Sequence, residues 1–271
     1  MGNGILSPYF VKVTTFRSVK IAENLMARLT HLLKILFALP QSIIFNFRYL
    51  PFNQAIKLPI LIYGARIVNT KGRIYLATPN IQFGMIRFGG YQVSIFSTPK
   101  NFIWDDQGGV CEFQGECRLG NGSAISIGPS GRLIFGDNFV ATANCKIVAY
   151  TKVEFGSNVL VGWDGLFLDT DFHALTTVSD GSLRSATAPI KIGSNNWFAL
   201  KCTVLKGTTT PDFCTVGANS VLNKNYAVAE YSVLAGQPAE LKGSGIYRDA
   251  KNDRVQYDFV DVSKDIVKPL V

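Results

Sequence analysis

Apolar residues near the amino terminus recur at helical spacing. Leu25, Leu29, Leu32 and Leu36 follow one another at three- and four-residue intervals, so the pattern predicts a helix from about Val19 to Leu39 carrying one apolar stripe. Pro40 is expected to end or kink it. From Phe45 to Tyr63 the run FNFRYLPFNQAIKLPILIY mixes aromatics, isolated basic residues and two more prolines. Such a run predicts short elements that pack on the protein, meet a second copy, or lie at a bilayer surface.

Beyond Gly64 the texture changes to short apolar runs punctuated by glycine, asparagine and aspartate, which predicts short strands joined by tight turns. Their period is six. Ile192, Phe198, Val204, Thr210, Val216 and Leu222 occupy every sixth position, and five of the six are apolar. Compact residues, Asn196, Cys202, Thr208, Cys214 and Ser220, recur four places after each of the first five. The same phase runs through Phe135, Ala141 and Ile147, and again through Phe155, Val161 and Phe167, with an interval of eight between Ile147 and Phe155 that fits two extra residues at a corner. Cys111, Cys117 and Ser123 are weaker examples.

A six-residue unit supplies one flat strand and one corner. Three such units close a triangular coil whose inward positions are apolar and whose backbone pairs with the next coil, so stacking builds a continuous core from units too small to hold one. An antiparallel sandwich would alternate by two with less regular spacing. The expected fold is therefore mostly β, a parallel β-helix with an N-terminal amphipathic helical region and a C-terminal cap.

Composition agrees with a packed core: 47% of residues are hydrophobic and 17% charged, too apolar for a disordered chain. The net charge of +8 is unevenly placed, because residues 1–60 hold Lys12, Arg17, Lys20, Arg28, Lys34, Arg48 and Lys57 against Glu23 alone. Those basic residues alternate with apolar stretches instead of forming a polar arginine-rich patch, which favours an anionic membrane surface over nucleic acid. The stretch LLKILFALPQSIIF, Leu32–Phe45, is too short and too interrupted to span a bilayer, and no cleavable signal pattern precedes it. Five cysteines, at 111, 117, 145, 202 and 214, lack zinc-ligand spacing and suit a reduced, cytoplasmic protein.

The segments LIFGDNFV (Leu133–Val140), VEFGSNVLVG (Val153–Gly162), IKIGSNNWFALKCTVLKG (Ile190–Gly207) and VGANSVLNKNYAVAEYSVLAGQPAELK (Val216–Lys242) resemble the hexapeptide-repeat acyltransferases. The likeness spans about residues 110–242, and the run Phe45–Ile67 resembles a subgroup of polysaccharide-biosynthesis O-acetyltransferases. It implies a left-handed coil, transfer of an acetyl group from acetyl-CoA, and a homotrimer with active sites near subunit boundaries. Asn219 stands where the final family motif often has glycine, and phenylalanine begins hexads at 135, 155, 167 and 198 where smaller residues are common. The chain then divides into a basic apolar attachment or packing region (1–63), a β-helix acyltransferase domain (64–242) and a C-terminal cap or tail (243–271).

Histidine occurs twice, as His31 and His173. His31 lies in the apolar helix with no adjacent acid and reads as a packing or interfacial residue. Two histidines cannot supply the three-histidine zinc site of the carbonic anhydrases that share this architecture, so no metal is expected. His173 follows DTDF and precedes a polar loop, 174–189, in a placement that resembles the family's catalytic histidine. A neutral imidazole can take the proton of an attacking hydroxyl and return it to a departing thiolate. Asp171 is the favoured partner for the imidazole; Asp169 is the alternative, or a contact to the acceptor sugar, and either carboxylate can instead cap a turn.

Trp197 resembles the aromatic residue beside the family's acyl-donor groove, and the amides near Trp197 and Ala199 are candidates to hold an oxyanion. Gly217 and Ala218 would let the donor approach a coil edge. Lys201, Lys206 and Lys224 are candidates for coenzyme phosphates, with Lys224 favoured, and Arg184 for a glycan or a trimer contact. The function expected is a coenzyme-A-dependent O-acetyltransferase acting on a sugar hydroxyl in cell-surface polysaccharide or lipid-linked glycan synthesis, cytoplasmic or peripheral at the inner face of the cell membrane. Its alternatives are an amino-sugar N-acetyltransferase and a non-catalytic trimeric scaffold.

Overall fold

The computed structural model describes residues 8–90 and 101–252, with side chains in the first helix described at Met26, Leu29 and Thr30 and from Leu32 onward. The expectation for the His31 side chain, and that for the tail beyond 252, lie outside the described residues. Helix α1 spans Pro8–Tyr49 and the single turn α2 spans Phe52–Ala55. The described residues between Ile60 and Gly236 wind as a left-handed parallel β-helix of triangular section. Among the described residues its three faces hold nine, seven and six strands, each paired in parallel to the strand one coil away except the last strand of the first face, which folds back antiparallel. Residues 38–248 form one compact unit, and the other described residues, 8–37 and 249–252, group separately.

The period of six reappears as burial. Ile192, Phe198, Val204, Thr210, Val216 and Leu222 are all buried, as are the compact Asn196, Cys202, Thr208, Cys214 and Ser220. Cys111, Cys117 and Ser123 fall inside as well. Corners show the same period in the backbone: Asn138 and Asn144, Asn158 and Asp164, Asn195 and Lys201, Phe213 and Asn219 all have φ between 55° and 59°. Asparagine is the L-residue that tolerates this left-handed conformation best after glycine, so Asn219 turns its corner without one. At the neighbouring vertex, where Phe213 takes the corresponding place in a later coil, the asparagines also ladder: Asn138 Nδ2 donates to Asn158 Oδ1 at 3.0 Å, and Asn158 Nδ2 to Asn195 Oδ1 at 3.2 Å.

The phenylalanines at hexad starts stack into a column along the axis. Ring centroids are 5.6 Å apart for Phe135–Phe155, 4.9 Å for Phe155–Phe167 and 5.3 Å for Phe167–Phe198. Large rings are accommodated because small residues share the same coils, and Ala141, Ala149 and Cys145 are buried beside them.

Helix α1 does not end at Pro40, one of the two outcomes expected there, and continues for nine more residues to Tyr49. The reason is tertiary. Strand β1 (Ile60–Tyr63) is the first strand of its face, paired on one side with Ile86–Gly89 and bare of strand on the other. Helix side chains supply the missing partners. Asn46 Nδ2 donates to Ile60 O at 2.7 Å, and Ile60 N donates back to Asn46 Oδ1 at 3.2 Å. Ile62 N donates to Ser42 Oγ at 2.8 Å, and Gln41 makes a reciprocal pair with the Ala65 backbone at 2.7 and 3.0 Å. Proline removes one helical hydrogen bond, whereas stopping there would leave several buried backbone groups of β1 unpaired. At the other end the strand Ala239–Ser244 turns antiparallel onto Ser232–Gly236 and closes the parallel stack.

Candidate active site

Each coil passes from the second face to the third through a corner, and one such corner is much longer than the rest. Above it the corner Tyr150–Thr151 is the two-residue insertion expected between Ile147 and Phe155. In the next coil the second face ends at Leu168 and the third resumes only at Ile190. The intervening segment forms a small hairpin, pairing Leu175 with Arg184 and Thr176 with Leu183, above a bridge between Thr170 and Thr187.

Asp169, at the base of this segment, is fully buried. Its Oδ1 accepts from Tyr150 N at 2.8 Å, and its Oδ2 accepts from Thr151 N at 2.7 Å and Lys152 N at 2.8 Å. The carboxylate is thus occupied by the backbone of the corner one coil away. Asp171 is exposed and ion-paired with Lys206 at 2.6 Å, while Lys206 Nζ also donates to Ser185 O at 2.5 Å. Asp171, Leu175, Arg184, Ser185 and Lys206 line an open cleft of about 420 Å³.

His173 is exposed, two residues beyond Asp171, and does not itself line that cleft. Among the described residues it makes no hydrogen bond or ion pair, so neither aspartate engages its imidazole. The residue before it is strained: Phe172 has φ 58°, an uncommon conformation for an aromatic residue. Two contacts hold it there. Its N–H donates to Thr170 Oγ1 at 3.0 Å, and its ring meets Tyr150 edge-on with centroids 5.0 Å apart. The residue preceding His173 is therefore braced within its own segment by Thr170 and from the neighbouring coil by Tyr150.

Apart from Lys206 and Lys224, the donor-side candidates lie elsewhere on the same β-helix. Trp197 is half-buried on the outer side of the first face, level with Leu160 and Thr215, while Phe198 beside it points into the core. Ala199, Lys201, Gly217 and Ala218 belong to the corners between the first and second faces. A side chain at Gly217 would bring its Cβ to 2.9 Å from Ala235 Cβ, and Ala218 is exposed. Lys224 is on the same vertex as the long segment, with its ammonium 5.5 Å from the Tyr226 ring centroid. One chain thus places His173 and the Gly217–Ala218 corner on different vertices.

Two amides proposed to hold an oxyanion are already engaged: Trp197 N donates to Cys214 O and Ala199 N to Val216 O, both at 2.9 Å. They are rungs between coils, because a parallel stack consumes strand amides in exactly this direction at every level; that corrects the oxyanion expectation for these two groups. Nor do the cysteines offer a nucleophile. All five are free and buried, and burial pushes Cys145 up to about 12 and Cys202 and Cys214 up to about 11. The residue underweighted by sequence reasoning is Lys206. Leu168 pairs with Leu205, so the hexad register alone sets Lys206 directly beside the start of the long segment.

No family model matches the chain. It is similar to proteins named as a probable and a putative acetyltransferase. Probable acetyltransferase Rv3034c of Mycobacterium tuberculosis is 28% identical over 174 residues, covering 62% of this chain and 53% of that protein. Putative acetyltransferase C18B11.09c of Schizosaccharomyces pombe is 29% identical over 106 residues, covering 39% of this chain and 50% of that one. The chain therefore spans about half the length of these relatives. Among solved structures, the polySia-specific acetyltransferase NeuO aligns with 69% of this chain and 92% of its own at 13% identity and a TM-score of 0.40. The fold assignment rests on this chain's own strand register.

Proposed function

We propose that the chain is a coenzyme-A-dependent O-acetyltransferase that moves an acetyl group onto a sugar hydroxyl of a cell-surface polysaccharide or lipid-linked glycan. The observation that carries this reading is the exposed imidazole of His173, unengaged among the described residues, two residues along the chain from the Asp171–Lys206 pair. The two relatives, one named as a probable and one as a putative acetyltransferase, support transfer of an acetyl group.

In the proposed reaction the acceptor oxygen attacks the thioester carbonyl carbon while a His173 ring nitrogen takes the hydroxyl proton. The C–O bond forms, the C–S bond breaks, and the same nitrogen returns the proton to the departing thiolate. Acetyl-CoA supplies the activated acyl group. For its binding the chain offers the half-buried Trp197 on an outer face, the small Gly217–Ala218 corner, and the exposed ammonium groups of Lys201 and Lys224 for phosphate. Arg184 and Lys206, which line the cleft with Leu175, suit a polar acceptor. Asp171 positions that wall through Lys206. Because Trp197 and the Gly217–Ala218 corner lie away from the vertex that carries His173 and Lys224, the reading has a homotrimer complete each site with two copies.

The test is to supply purified protein with acetyl-CoA and a panel of sugar and lipid-linked glycan acceptors, and to locate the modified atom by mass spectrometry and NMR. His173→Ala is expected to keep its native mass and lower transfer by about 10²-fold or more. Equal transfer by the folded variant would reject His173 as the base. Acetyl on nitrogen instead of oxygen would replace the O-acetyl reading with the amino-sugar one.

A further inference from the structure

The inner face of α1 is held in place and its outer face is bare. Gln41, Ser42 and Asn46 bond the backbone of residues 60–65, and Phe45 packs edge-on against Trp104 with centroids 5.4 Å apart. These contacts fix the rotation of the helix about its axis between Ala38 and Tyr49. On the opposite side Ile43, Ile44 and Phe47 are 42%, 72% and 47% exposed. The patch continues into the next element: Phe52 is 72% exposed, its ring meets Phe47 with centroids 5.9 Å apart, and Ile56 follows at 54%. A contiguous apolar surface of this kind marks an interaction site more often than scattered exposed leucines do.

Its charge surroundings indicate the partner. Arg48 and Lys57 are the exposed charged residues of the same stretch, and both are cations. In sequence the segment leading to it adds Lys12, Arg17, Lys20, Arg28 and Lys34, with Glu23 its single acid. Apolar side chains flanked by cations, with acids nearly excluded, complement the boundary between acyl chains and anionic headgroups. A protein partner of like composition would face the same excess of positive charge, which opposes self-association through this face. Among the described residues no helix is long and apolar enough to cross a membrane, so the contact in question is interfacial.

We infer that the outer face of α1 and α2, built on Ile43, Ile44, Phe47, Phe52 and Ile56, docks on an anionic lipid surface. The inference is independent of the acetyl-transfer reading. It would bring the β-helix to the surface where lipid-linked acceptors reside.

Flotation of the full chain with vesicles tests it. Binding is expected to vesicles containing about 30% phosphatidylglycerol, weakly to phosphatidylcholine alone, and to weaken between about 0.1 and 0.5 M salt. Ile44→Ser with Phe52→Ser should reduce binding at least about tenfold. Lys57→Gln should reduce it about fivefold on anionic vesicles and leave phosphatidylcholine binding unchanged. Thermal midpoints equal to that of the native chain establish that both variants fold. Absence of binding by the native chain overturns the proposal, as does equal binding by the serine double variant. So does a native chain that ignores vesicles but loses oligomeric mass on the serine substitutions, which would assign the face to a second copy.

Discussion

Asp169 was a candidate for orienting a catalytic imidazole, and its geometry instead predicts a large structural penalty when it is changed. Asp169→Asn keeps the shape and removes the charge. The carboxylate accepts three backbone hydrogen bonds, one at Oδ1 and two at Oδ2, all between 2.7 and 2.8 Å, with the residue fully buried. However the new amide is turned, its NH₂ group faces at least one backbone donor that can no longer be satisfied. That orphaned donor costs about 1–3 kcal/mol, and loss of charge on the remaining bonds brings the total to roughly 2–5 kcal/mol. For a domain of this size the thermal midpoint should fall by roughly 4–20 °C, read by circular dichroism. A midpoint within about 2 °C of the native protein refutes the reasoning. If that unchanged variant also transferred acetyl about 10²-fold more slowly, the carboxylate would return to the chemistry.

Two further substitutions probe the frame around the site. Asn46→Ala strips partners from both Ile60 N and Ile60 O in a buried setting, so a loss of roughly 2–6 kcal/mol is expected, with faster hydrogen exchange at the Ile60 amide; unchanged exchange there would exclude the capping role. Asp105 carries a pH signature. Burial pushes its carboxyl up, but hydrogen bonds from Asn69, Gln107 and Ser126, together with the charge of Lys71, outweigh it and hold the carboxyl below its ordinary value. A depressed folded-state value stabilises the protein above the unfolded value of about 4 and is lost as pH falls below it. The stability gap between the native chain and Asp105→Asn should therefore shrink in urea titrations below about pH 4; a gap constant down to about pH 2 contradicts this.

The repeat was legible in sequence because it is a local, periodic demand. An inward side chain is needed at every sixth position, and Ile192 through Leu222 meet it without reference to anything distant. The long insertion after Leu168 and the isolated His173 were visible for the same reason, as interruptions of that period. The phenylalanines looked like departures until stacking showed that they fill one column, which is a relation between coils and not within one.

What the sequence alone determined was the coil, its period, the place where the wall opens and the basic apolar character of the first 60 residues. The tertiary structure decided where each polar group is used. Asp169 is committed to the corner at 150–152, Asp171 to Lys206, and the Trp197 and Ala199 amides to the coil below. It also carried α1 through Pro40, because the bare edge of β1 had to be paired. Hydrogen-bond partners are chosen by proximity across coils some 20 residues apart in sequence, such as Tyr150 and Asp169, and a periodic pattern of side-chain types holds no record of that choice.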